Sequence, residues 1–185
     1  MKTIMDELKE ILNQPGWNDQ VAEEFERVQI LDEGAADADE QLDTCKHLHL
    51  LSILCRKGRR VGFSDSGDGM PLSAQAAVLA FKRCLEICEP LKAAGNNDFR
   101  LIDQLIRSYY GIAELLSKSA AKAGEKKLPM LQEAMTYAKK LHDTLAEAVA
   151  SGADEQARDF AQQFVFLSDM LNETIADKIQ AIEGK

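Results

Sequence analysis

The sequence predicts an all-α protein, about seven helices arranged as antiparallel hairpins in a single domain spanning residues 1–185. Three observations carry that prediction. Apolar residues make up 45% of the chain and only four residues are proline, so strong helix formers are available nearly everywhere and a substantial core can be buried. Apolar side chains recur with a 3.6-residue rhythm. Three similar joints punctuate the chain, LDEGAAD at 31–37, LKAAGNND at 91–98 and VASGAD at 149–154, with glycines 61 and 57 residues apart. A compact helical bundle is the alternative architecture.

The first element is an amphipathic helix within residues 1–14, where Ile4, Leu8, Ile11 and Leu12 form one stripe and Pro15-Gly16 ends the run. Val21, Phe25, Val28 and Leu31 continue the rhythm as a second helix up to Gly34. At each joint, glycine can take the left-handed conformation that closes a helix. The Asp or Asn that follows can accept hydrogen bonds from the free N–H groups opening the next one. Helical hairpins are therefore expected over 19–57, 73–120 and 128–183, with looser connections at 58–72 and 121–127. GFSDSGDGMPLS at 62–73 is the longest break; Ser64 and Ser66 lie in its run of turn-formers, and Ser73 is the expected N-cap of AQAAVLAF.

The helices after the three joints superpose as CKHLHLLSILC, IRSYYGIAELL and AQQFVFLSDML. Leu48, Leu51, Ser52 and Cys55 then align with Tyr109, Ile112, Ala113 and Leu116, and with Phe164, Leu167, Ser168 and Leu171. The small residue lets a neighbouring helix approach and the large ones fill the groove around it. With Ala77, Phe81 and Cys84 in second-helix spacing, and Val21, Phe25 and Val28 echoing it, the chain resembles the tetratricopeptide type of helical repeat over roughly residues 19–180. Its unit of 57–61 residues departs from the family's 34, and Ala134, Ala138 and Leu141 match poorly. The resemblance implies a short right-handed superhelix and a non-enzymatic adaptor, scaffold or chaperone-like role, with a peptide or helix of another protein bound in a groove between stacked helices.

Charge narrows the functional classes. The net charge is -9, and residues 1–44 hold thirteen acids against Lys2, Lys9 and Arg27. Such a surface repels phosphate backbones, so nucleic acid is not an expected partner. No apolar run approaches the ~20 residues that span a bilayer, and MKTIMDELKEILNQ lacks the apolar stretch of a secretory signal. Cys45, Cys55, Cys84 and Cys88 lie within helical patterns, which points to a reducing, cytoplasmic setting. The stripe of Leu8 and Ile11 is a candidate for self-association as a homodimer.

The local signatures of hydrolases, zinc proteases and dinucleotide enzymes are absent, so neither an enzyme nor a cofactor is expected. Candidate partner-binding residues are Arg56, Lys57, Arg59 and Arg60, a basic cluster able to grip carboxylate or phosphate, together with Tyr109 and Tyr110. Glu40, Asp43 and His47 share a helix face and are expected as an exposed charged surface. The cysteines are expected chiefly as small core residues. The alternative is a soft-metal site in which Cys45 and His49, four apart, face Cys84 and Cys88, also four apart.

Overall fold

The structure, a computed structural model, describes residues 1–63, 69–150 and 154–184. Its described residues form seven α-helices: α1 (Ile4–Leu12), α2 (Asp19–Gly34), α3 (Ala38–Arg56), α4 (Leu72–Ala93), α5 (Phe99–Ser119), α6 (Lys127–Ala150) and α7 (Glu155–Glu183). Two 3₁₀ turns, Ala120–Lys122 and Gly124–Lys126, join α5 to α6. The turn-former run with Ser64 and Ser66, and Gly152 of the third joint, lie outside the described residues.

All three joints restart a helix as their chemistry predicts. Asp37 accepts from the backbone N–H of Glu40, Asp98 from that of Arg100 and Asp154 from that of Gln156, each at 2.9 Å, satisfying donors that no helical carbonyl can reach. The closing glycines are less uniform. Gly95 adopts φ +90° and lets Gly95 and Asn96 cap the end of α4. Gly34 instead remains the last helical residue of α2, and Ala35 leaves in extended conformation. The expected Ser73 cap is corrected by two residues: Pro71 is the N-cap of α4, its carbonyl accepting from Gln75 N at 2.9 Å.

The helices that follow the joints, α3, α5 and α7, lie side by side. α4 packs against α3 and α5, α6 against α5 and α7, while α2 flanks α3 and α1 flanks α4. The apolar stripe of α1 is consumed by that docking: Leu8 is fully buried, with Ile11 and Leu12 packed at the edge of the core. Thr3 and Asp6 close a reciprocal capping box at the start of α1.

The aligned small residues Ser52, Ala113 and Ser168 are all buried. Leu48, Leu51 and Cys55 are buried on α3, as are Tyr109, Ile112 and Leu116 on α5. On α7 only the small residue keeps its burial: Phe164 and Leu171 are half-buried, and Leu167, the counterpart of Leu51 and Ile112, is 41% exposed. α5 has helices on both sides, whereas among the described residues α7 packs chiefly against α5 and α6.

Candidate functional site

The basic cluster is largely spent inside the chain. After α3, the backbone folds back on the α1–α2 turn: Trp17 and Arg59 form an isolated bridge, and Arg60 N donates to Gly16 O at 2.5 Å. The Arg59 guanidinium lies 5.2 Å from the centre of the Trp17 ring and donates to Pro15 O, and Arg60 pairs with Asp19. Gly16, at φ +103°, is seated directly against Phe63, where a side chain would collide. Arg56 reaches Glu114 at 3.9 Å; Lys57 is the exposed C-cap of α3. These positions read as a clamp between the α1–α2 turn and the segment after α3.

The tyrosine pair divides. Tyr109 is buried, its hydroxyl donating to Glu89 at 2.7 Å, and Glu89 also accepts from Lys140 at 2.8 Å. Burial, then the Glu89 bond, pushes the Tyr109 hydroxyl well above its ordinary range. Tyr109 therefore belongs to the α4–α5–α6 packing and presents no ring to a partner. Tyr110 is half-buried, edge-on to Phe164 of α7 with ring centres 6.2 Å apart. Of the charged face on α3, His47 turns away from Glu40 and Asp43 to meet buried Glu24 of α2 at 2.5 Å.

The largest exposed apolar feature on a helix lies on α7, where Phe166 is 70% exposed and Met170 49%, beside Val165 and Leu167. Phe166 and Met170 are one turn apart and share a face. Val165 also lines a cavity of about 230 Å³ between α6 and α7, with Leu145, Ala146, Val149, His142 and Ser168. Past His142 the same groove becomes acidic, with Asp143, Asp169 and Glu173 alongside Lys139 and Asn172. Sequence reading placed Leu167 in the core and passed over the groove. The available signal was that Phe166, Leu167 and Met170 add apolar positions beyond the stripe that one neighbouring helix can cover.

The sequence spacing does bring three cysteines together. Sγ of Cys45 is 3.5 Å from that of Cys88, Cys84 lies 3.9 Å from Cys88, and all three sulfurs lie within 4.8 Å of one another. α3 and α4 supply the pairs from adjacent turns, and all three thiols are free and buried. Cys84 is held below the ordinary thiol range by the hydrogen bonds of Cys45 and then Cys88, against the cost of burial. Cys45 is pushed up by its contact with Cys84, then Cys88, and by burial. His49 sits one turn from Cys45 with its ring 5.7 Å from that of Phe81. Burial lowers its basicity, and its Nδ1 is buried with no partner. Cys55 stands apart as the expected core residue, its thiol pushed up to about 12 by burial.

No family model, curated protein or solved structure matches this chain. No described helix is long and apolar enough to cross a membrane.

Proposed function

We propose that this chain is a non-enzymatic protein-interaction module of the helical-repeat type, acting in a reducing, cytoplasmic compartment, and that the α6–α7 groove takes an amphipathic helix of another protein. The observation that carries this reading is the 39% exposure of Val165 at the mouth of an apolar cavity of about 230 Å³ between α6 and α7.

The groove also specifies the chemistry of its occupant. An apolar anchor fits the cavity bounded by Val149 and Val165, with further apolar contacts to Phe166 and Met170. Basic residues toward one end of the incoming helix match Asp143, Asp169 and Glu173. α7 as a whole carries six carboxylates against Arg158 and Lys178, which favours a cationic partner and disfavours an acidic one. This is the helix-in-groove mode, in which anchors at one-turn spacing supply affinity and flanking charge supplies orientation.

The test uses the full chain with a photo-crosslinking phenylalanine analogue at position 166, irradiated in cells. The crosslinked segment is then synthesised and titrated against the unmodified protein. Capture of an amphipathic segment with Lys or Arg toward one end, with binding weakened at least about tenfold by Phe166→Asp and by Val165→Asp, supports the reading. Crosslinks confined to a second copy of the chain, or no crosslinked segment at all, overturn it.

A further inference from the structure

We propose that Cys45, Cys84 and Cys88 hold one zinc ion as three thiolates, with the His49 imidazole as fourth ligand. The inference is independent of the docking groove on α7. Four ligands on a tetrahedron with Zn–S bonds of about 2.3 Å place sulfurs roughly 3.8 Å apart. The two sulfur separations of 3.5 and 3.9 Å already bracket that edge. Core packing alone asks for apolar volume and does not ask for three sulfurs to converge from two helices.

The arrangement follows from helix geometry. Residues four apart share a face, so α3 offers Cys45 and His49 while α4, running antiparallel beside it, offers Cys84 and Cys88. Cys45 meets Cys88 at one level, and His49 stands against Phe81, one turn before Cys84, at the other. The imidazole needs to rotate towards the three sulfurs to complete the set, because it stands outside their 4.8 Å triangle.

Two unsatisfied polar groups independently mark this place as built for a ligand. His49 Nδ1 and Ser108 Oγ are both buried without a partner, a state that carries a desolvation cost. Metal ligation satisfies the imidazole. Conversion of Cys84 to a thiolate gives the Ser108 hydroxyl an anionic acceptor, while Gln104, 3.8 Å from Cys84, forms the other wall. Groups beyond the ligands that hydrogen-bond them are a regular part of metal sites.

Binding is a proton exchange with no change of oxidation state: three thiols lose their protons to solvent and the dication takes the three sulfur lone pairs and one nitrogen lone pair. The site then carries one net negative charge; Arg107 and Arg56 act on His49, but Arg107 is paired with Asp103 and Arg56 reaches Glu114. Cys55, alone in its part of the core, takes no part.

The experiment titrates chelator-stripped, reduced full-length protein with cobalt(II), the spectroscopic substitute for zinc, and then with zinc in competition with a chromophoric chelator. One equivalent per chain, an intense thiolate-to-cobalt charge-transfer band and tetrahedral ligand-field bands are expected. Cys55→Ala keeps all of these. Cys84→Ser and Cys88→Ser lose at least about 100-fold in affinity, and His49→Ala about 10- to 100-fold with a changed ligand-field spectrum. The wild-type spectrum needs no variant, so a misfolded substitution leaves the test intact. Absence of stoichiometric binding with the thiols reduced, or binding retained by Cys84→Ser, overturns the site; an unchanged spectrum in His49→Ala overturns the four-donor assignment.

Discussion

Gly111 of α5 lies flat against the ring of Phe81 on α4: a Cβ on Gly111 would collide with Cε2 and sit 2.6 Å from Cζ. The same ring lies 5.7 Å from that of His49 and 5.9 Å from the Arg56 guanidinium. α3, α4 and α5 thus converge on one phenylalanine, and a helical residue without a side chain is what allows α5 to approach. Gly111→Ala is expected to lower stability although alanine is the better helix former by about 1 kcal/mol. Overpacking a filled core costs about 1–3 kcal/mol, so chemical denaturation should show a net loss. A Phe81→Leu change in the Gly111→Ala background should recover part of it.

The aligned positions on α3, α5 and α7 should respond differently to truncation. Leu51→Ala and Ile112→Ala remove fully buried side chains and should each cost about 2–5 kcal/mol. Leu167→Ala, on the exposed face of α7, should fall within about 0.5 kcal/mol of the parent protein. Equal losses at all three positions, measured by urea unfolding, would show that α7 is covered by a further contact in solution.

The clamp around Arg59 should prove structural. Arg59→Ala removes a cation–π contact of about 0.5–1 kcal/mol and a donor to Pro15. Amide hydrogen exchange should therefore accelerate in the α1–α2 turn and in residues 57–63, while exchange within α6 and α7 stays unchanged. The segment captured at position 166 should bind this variant as it binds the parent.

Asp98 links the start of α5 to pH. The Arg100 guanidinium, then its backbone N–H, holds the Asp98 carboxyl below the ordinary carboxylate range. A group depressed in the folded state contributes stability above its unfolded value, and that contribution is lost as pH falls through its folded value. Stability should thus decline below about pH 4, the unfolded carboxylate range, and Asp98→Asn should flatten part of that decline. Asn still caps a helix, whereas Asp98→Ala should cost about 1 kcal/mol already at pH 7. Denaturation at pH 7 and pH 3 separates the two substitutions.

The architecture was legible because it rests on local rules. The glycine joints and their following aspartates mark three helix starts, and the small residue shared by Ser52, Ala113 and Ser168 marks the row that α3, α5 and α7 form. The cysteine spacing likewise brought three thiols together between α3 and α4, since four-residue steps on facing helices can meet. Other features depend on which neighbours a helix has. A basic run looks the same whether it faces solvent or folds back on Trp17, and Tyr109 and Tyr110 differ only in which of them finds Glu89. Leu167 matches Leu51 and Ile112 in sequence, but among the described residues no helix covers that face of α7, which no local pattern encodes.

Methyl-resolved NMR of the full chain, titrated with the segment captured at position 166, tests the α6–α7 groove most directly. The methyl groups of Leu145, Val149 and Val165 should shift together and saturate at one segment per chain, while those of Leu51 and Ile112 stay in place. Shifts centred instead beside Arg56 and Lys57, with Val149 and Val165 unmoved, would contradict the groove as the binding site.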